Sequence, residues 1–164
     1  MELTSYNHSY GQNSQHLVFV PKYRHNIFAN KQVKLACEVF ICEASKRYGF
    51  KIHALKVEHD HVHLFAEFHP TISPSKAAQL IKGYTSRLIF LQFPWLRNTL
   101  FRKGSFWSSG LFFRSVGNVT SETIEHYIKN AQGKHKPNKQ QLMRMIFARR
   151  KAKSQKRLDQ FFAA

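Results

Sequence analysis

Apolar and polar positions along this chain change period several times, and each change marks an element. Leu17 to Val20 is a β-branched and aromatic run ended by Pro21 and followed by the cluster Lys22, Tyr23, Arg24, which reads as a first strand. From Lys31 to Tyr48 apolar residues recur at Val33, Ala36, Cys37, Phe40, Ile41 and Ala44, the spacing of a helix, with Gly49 as a fitting stop. Two short strands follow, about Lys51 to Val57 and Asp60 to Phe68, close enough to form a hairpin that turns near Glu58 and His59. Ser73 and Pro74 open a second helix, because Ser caps free backbone N–H groups and Pro suits the first helical position. Its apolar face is Ala77, Leu80, Ile81, Tyr84, Leu88 and Leu91, and Pro94 ends it.

Beyond Phe106 the chain reads as irregular until an aromatic-rich fourth strand, Leu111 to Val116, which Gly117 breaks. Thr120 or Ser121 caps a third helix with Glu122 in its first turn, running to about Gln132 with Gly133 as terminator. The order β-α-β-β-α-β followed by a helix predicts a ferredoxin-like or RRM-like α+β fold: an antiparallel sheet, helices on one face, and a C-terminal helix. This places one domain over residues 1–133. Residues 134–164 carry ten Lys or Arg against the single acid Asp159, with a short helical pattern near Leu142 to Phe147, and read as a basic, partly helical tail. That tail is either an extra grip on a polyanion or a solubilising run.

Composition narrows the class of partner. Hydrophobic residues make up 43% of the 164, with 15 Phe, so the chain folds despite a formal charge of +17. Such a charge favours a polyanion, and nucleic acid over membrane, because no stretch approaches the roughly 18 apolar residues of a membrane span. The polar start, Met1 to Gln15, has no signal-like apolar region, so a cytoplasmic location is expected. Cys37 and Cys42, five apart on a helix, point about 140° from each other and read as reduced thiols.

The stretch His59-Asp60-His61-Val62-His63-Leu64-Phe65 carries the most chemistry. In a strand His61 and His63 share a face about 6.5 to 7 Å apart, while Val62, Leu64, Ala66 and Phe68 line the other, apolar face. Two imidazoles at that spacing can converge on one divalent cation, though a lone His-x-His pair also fits ordinary surface histidines. Tyr127 lies on the third helix with Ile124, Ile128 and Ala131 on its packing face, which by itself fits a core tyrosine.

Taken in order, the segments His16-Leu-Val-Phe-Val-Pro-Lys-Tyr-Arg24, Asp60-His-Val-His-Leu64, Ile81-Lys-Gly-Tyr-Thr-Ser-Arg87, Phe106-Trp-Ser-Ser-Gly110, Ser115-Val-Gly117 and Tyr127-Ile128 resemble the insertion-sequence 200/605 family of single-tyrosine transposases. The resemblance spans about Gln15 to Gly133. It implies an HUH nuclease on an RRM-like sheet, in which His61 and His63 hold Mg²⁺ or Mn²⁺ and Tyr127 attacks DNA. The family places a Gln four residues after the tyrosine as third metal ligand, whereas this chain has Ala131 there and the glutamine one residue later. Gln132, Asn130, Asp60 and Glu58 are therefore all candidates, Gln132 first.

The resemblance further implies a metal-dependent transposase that cuts and rejoins single-stranded DNA through a 5′-phosphotyrosine, working as a homodimer on transposon ends that fold into hairpins. Lys22, Arg24, Lys82, Arg87, Arg102, Lys103 and Arg114 are candidate DNA contacts, since cations track phosphates while aromatic rings stack on bases. The contrasting expectation is a non-catalytic RRM-like binder of single-stranded nucleic acid, which the charge and aromatic content would serve equally. A domesticated relative that processes chromosomal repeats would share the chemistry and differ only in its targets.

Overall fold

The computed structural model describes residues 4–6, 9–102 and 104–116. Lys103, the expected third helix with Tyr127, Asn130 and Gln132, and the basic tail lie outside the described residues. Strands β1 (Thr4–Tyr6) and β2 (Ser9–Gly11) form a separate antiparallel hairpin that the residue pattern did not foreshadow. Strands β3 (Ser14–Phe19), β4 (Lys51–Val57), β5 (Val62–Glu67) and β6 (Phe112–Ser115) build one antiparallel sheet in the order β4-β5-β3-β6. With the intervening helices this is the expected ferredoxin-like α+β connectivity.

Helix α1 (Lys31–Tyr48) has the limits its period predicts. Asn30 accepts from the backbone N–H groups of Gln32 and Val33 at its start. Gly49, at φ 72°, closes it in the left-handed conformation that glycine adopts without steric cost. Helix α2 (Pro74–Gln92) starts where Ser73 Oγ accepts from Lys76 N–H. Its buried stripe is Ala77, Ala78, Ile81, Thr85, Leu88 and Ile89, while Leu91, expected on that stripe, is exposed. Pro94 ends α2 by opening another helix, α3 (Pro94–Thr99), a short element with too few residues to show a period.

The two faces of the sheet divide the labour. Leu17, Phe19, Val62, Leu64 and Ala66 form the core face and are fully or almost fully buried. Residues that alternate with them, His16 and Val18 on β3 and His63 and Phe65 on β5, occupy the other face, where pairing adds Lys56 of β4 and Phe112 and Arg114 of β6. An extra residue in β4, between Ile52 and Ala54, shifts the register there, and His53 Nε2 lies 3.3 Å from Glu67 Oε2.

The approach to β6 is fixed by aromatic packing. Trp107 meets Phe19 and Phe106 edge to ring, with centroids 4.9 and 4.8 Å apart. Its indole N–H donates to buried Thr85 Oγ1 at 2.9 Å, and Thr85 in turn donates to the Ile81 carbonyl. Lys82 Nζ donates to the carbonyls of Ser108 and Gly110, tying the segment before β6 to α2. Cys37 is buried and Cys42 partly so, and both are free thiols. Among the described residues no helix is long and apolar enough to cross a membrane.

Candidate functional site

His61 and His63 come together, though not quite as strict strand alternation predicts. β5 begins at Val62, so His61 belongs to the turn, where Glu58 N–H donates to the His61 carbonyl. The turn still brings the Nε2 atoms of the two rings to 3.0 Å. Two nitrogens bound to one ion at ~2.1 Å and at right angles would be about 3 Å apart, so the pair already has the spacing of adjacent ligand positions.

The other nitrogen of each ring is occupied. His61 Nδ1 lies 2.6 Å from Asp60 Oδ1, and Asp60 Oδ2 accepts from Arg24 Nε at 2.7 Å. His63 Nδ1 lies 3.1 Å from His16 Nε2, and these two rings stack with centroids 5.3 Å apart. A carboxylate accepting from Nδ1–H fixes the His61 tautomer and turns the Nε2 lone pair outward. If His63 likewise donates from Nδ1 to His16, two lone pairs face each other, an arrangement that a cation between them stabilises. Without a cation, the opposite direction, His16 to His63 to His61, closes the chain with a proton at each link.

Electrostatics agree with a ligand role for His63. Burial, followed by the neighbouring His61 and His16, lowers its pKa and keeps the imidazole neutral near pH 7. Burial and Arg114 lower that of His16. Hydrogen bonds from His61 and Arg24 hold the Asp60 carboxyl below its ordinary range. Backbone strain lies beside this network: Tyr23 and Arg24 are successive non-glycine residues with φ of 60° and 53°, and Arg24 is the one that reaches Asp60.

Asp60 thus meets the nitrogen of His61 that faces away from His63, a placement that fixes the orientation of the His61 ring. Glu58 Oε1 is 2.6 Å from Lys56 Nζ. Among the described residues no set of three His, Cys, Asp or Glu side chains could hold a metal ion. Gln132 and Asn130, like Tyr127, lie outside the described residues.

The basic residues expected to contact DNA divide into groups. Arg24 and Arg114 flank the histidines. Lys82, through its two carbonyl partners, holds the segment before β6, and burial lowers its pKa. Arg87 lines a cleft of about 990 Å³ between α2 and that segment, to which no histidine among the described residues contributes. Lys22 Nζ lies over the Tyr23 ring, and Arg102 Nε donates to the Asn98 carbonyl. His16 and the buried His53–Glu67 pair were not singled out from the sequence; the signal for His16 was its alternation with Leu17, which puts it on the face of His63 once β3 and β5 pair.

The IS200-like transposase family profile matches residues 9–131. The chain belongs to that family. It is 30% identical over 119 residues to the transposase of insertion sequence element IS200 from Salmonella typhimurium, covering 70% of this chain and 74% of that one. It is 25% identical over 119 residues to the ISDra2 transposase TnpA of Deinococcus radiodurans, covering 73% and 84%. Among solved structures, a transposase candidate from Deinococcus radiodurans superposes with a TM-score of 0.63 at 23% identity, covering 79% of this chain and 98% of the other. A REP-associated tyrosine transposase bound to a REP hairpin superposes with a TM-score of 0.50 at 13% identity, covering 79% and 70%. The two structural likenesses concern the fold of this IS200-like transposase.

Proposed function

We propose that this IS200-like transposase cleaves and rejoins single-stranded DNA at hairpin-bearing transposon ends, through a covalent bond from Tyr127 to the 5′ phosphate and with help from Mg²⁺ or Mn²⁺. The observation that carries the reading is the 3.0 Å approach of His61 Nε2 and His63 Nε2, each ring anchored through its Nδ1. These two atoms would hold the ion, with Gln132 or Asn130 as the protein oxygen ligand. When bound, a divalent ion supplies Lewis acidity and neutralises charge at the scissile phosphate.

The protein's own groups do the rest. Asp60 and His16 keep the two rings turned toward the phosphate. The Tyr127 phenolic oxygen attacks phosphorus; the O–P bond forms as the P–O3′ bond breaks, the phenol loses its proton and the departing 3′ oxygen gains one. Because one phosphodiester replaces another, a different 3′ hydroxyl reverses the step without an external energy source. Arg24 and Arg114 bind flanking phosphates, and Lys22, Arg87, Arg102 and Lys103 extend the basic surface. A single candidate nucleophile per chain, Tyr127, calls for a homodimer to process two ends, and the cytoplasm is the place of action.

The test is cleavage of hairpin-tipped single-stranded oligonucleotides drawn from DNA flanking the gene, with Mn²⁺ and with EDTA. Nicking that requires the metal is the expected result. Binding without nicking on every such substrate would favour the non-catalytic binder.

A further inference from the structure

The face of the sheet that carries the histidines also carries an aromatic ring that the fold leaves exposed. Phe112 is 58% accessible although it lies on a strand, paired with Val18 of β3. Its ring stands edge-on to His16, with centroids 6.5 Å apart, and His16 is stacked on His63. Arg114, two residues on and therefore on the same face, pairs in register with His16 and is exposed. An uncovered phenyl ring on an edge strand is an aggregation liability unless something uses it.

We propose that Phe112 is a stacking platform for one unpaired base of the DNA strand next to the histidine pair, with Arg114 binding the adjoining phosphate. This rests on the single-strand cleavage reading above and specifies where a flanking nucleotide is held. The occupant is single-stranded because a paired base in a duplex already has both faces stacked, whereas an extruded base gains a new partner. Charge complementarity points the same way: Arg24 and Arg114 stand on either side of the histidines. The ring and the guanidinium side by side supply the two contacts that a nucleotide offers without reading its sequence.

The experiment measures binding of fluorescein-labelled oligo-dT to the full-length chain by anisotropy across a salt series, together with melting temperature and light-scattering mass. Phe112→Ala and Phe112→Leu should each lose roughly 5- to 100-fold in affinity, Phe112→Tyr and Phe112→Trp should stay near the parent, and all should melt alike because the ring is exposed. The log–log salt slope should be unchanged by Phe112→Leu and shallower by about 0.7 for Arg114→Gln. Parent-like binding by Phe112→Leu overturns the stacking role, since a leucine keeps the apolar surface and loses the ring. A change of oligomeric mass in Phe112→Ala at unaltered melting also overturns it and makes the ring a subunit contact. A parent that binds no single strand removes both this inference and the cleavage reading; a parent that binds and nicks, with Phe112 variants that do the same, removes this inference alone.

Discussion

His61 and His63 face each other through Nε2 at 3.0 Å, with Asp60 on the outer nitrogen of one and His16 on that of the other. The first prediction follows from this relationship. His61→Ala and His63→Ala each remove one of the two converging nitrogens and leave Arg24 and Arg114 in place. Both variants should lose Mn²⁺-supported nicking while binding hairpin DNA within a few-fold of the parent. Parent-like nicking by either would remove the histidines from the metal site.

The outer partners should matter less, but measurably. His16→Ala and Asp60→Asn leave both Nε2 atoms in the chain while freeing the rings to turn, and loss of such orienting groups typically weakens metal affinity by roughly 10- to 100-fold. Titration with Mn²⁺ by calorimetry measures the change directly. An Asp60 variant with unchanged affinity would reduce the Arg24–Asp60–His61 chain to a surface ion pair.

The core prediction concerns the segment that delivers β6. Thr85→Val keeps shape but removes the acceptor of the buried Trp107 N–H, leaving a donor without its partner. The expected loss is about 1–3 kcal/mol of stability, read from urea denaturation. A smaller loss would mean that the indole finds another acceptor.

Stability should also fall in mild acid. His53 is buried beside Glu67, and burial lowers its pKa below the ordinary 6.5 by more than Glu67 raises it. The folded chain therefore resists a proton that the unfolded chain accepts. The contribution is complete above pH about 6.5 and is lost as pH falls through the lower, folded-state value. His16 and His63 act in the same direction. The urea midpoint should drop between pH about 7.5 and about 5.5, and His53→Gln, which keeps a donor for Glu67, should show a smaller drop. An equal drop would assign the effect to the other two histidines.

The periodic parts of the chain announced the fold, and the aperiodic parts did not. Lys31–Tyr48 coincides with its expected limits because period and the Gly49 stop agree there, and Lys51–Val57 because that stop and the turn at Glu58 bound it. β3 begins at Ser14, before the expected Leu17, because Ser14 and Gln15 are polar residues buried by pairing with β5, and burial of that kind leaves no apolar signature. His61 was expected inside a strand and lies in the turn before it, yet its role as partner of His63 depends on ring placement rather than on strand membership. The His16 contact needed the β3–β5 register, a long-range property invisible to local spacing. The Phe112 exposure needed the sheet order, since an aromatic-rich run reads as buried until it is known to form an edge. Asp60, expected among the ligand candidates, meets both His61 and Arg24, the latter a partner 36 residues away that local spacing does not reveal.

The central claim is covalent chemistry by Tyr127, and the most direct measurement is an adduct assay. Parent protein, Mn²⁺ and end-labelled single-stranded DNA carrying a hairpin end are mixed, denatured and run on a gel. The account predicts a labelled protein–DNA species carrying the DNA on the 3′ side of the break, joined through its 5′ phosphate, which maps to Tyr127 by peptide analysis and is absent from Tyr127→Phe despite undiminished DNA binding. An adduct that persists in Tyr127→Phe, or that maps to Tyr84 or another residue, would contradict it.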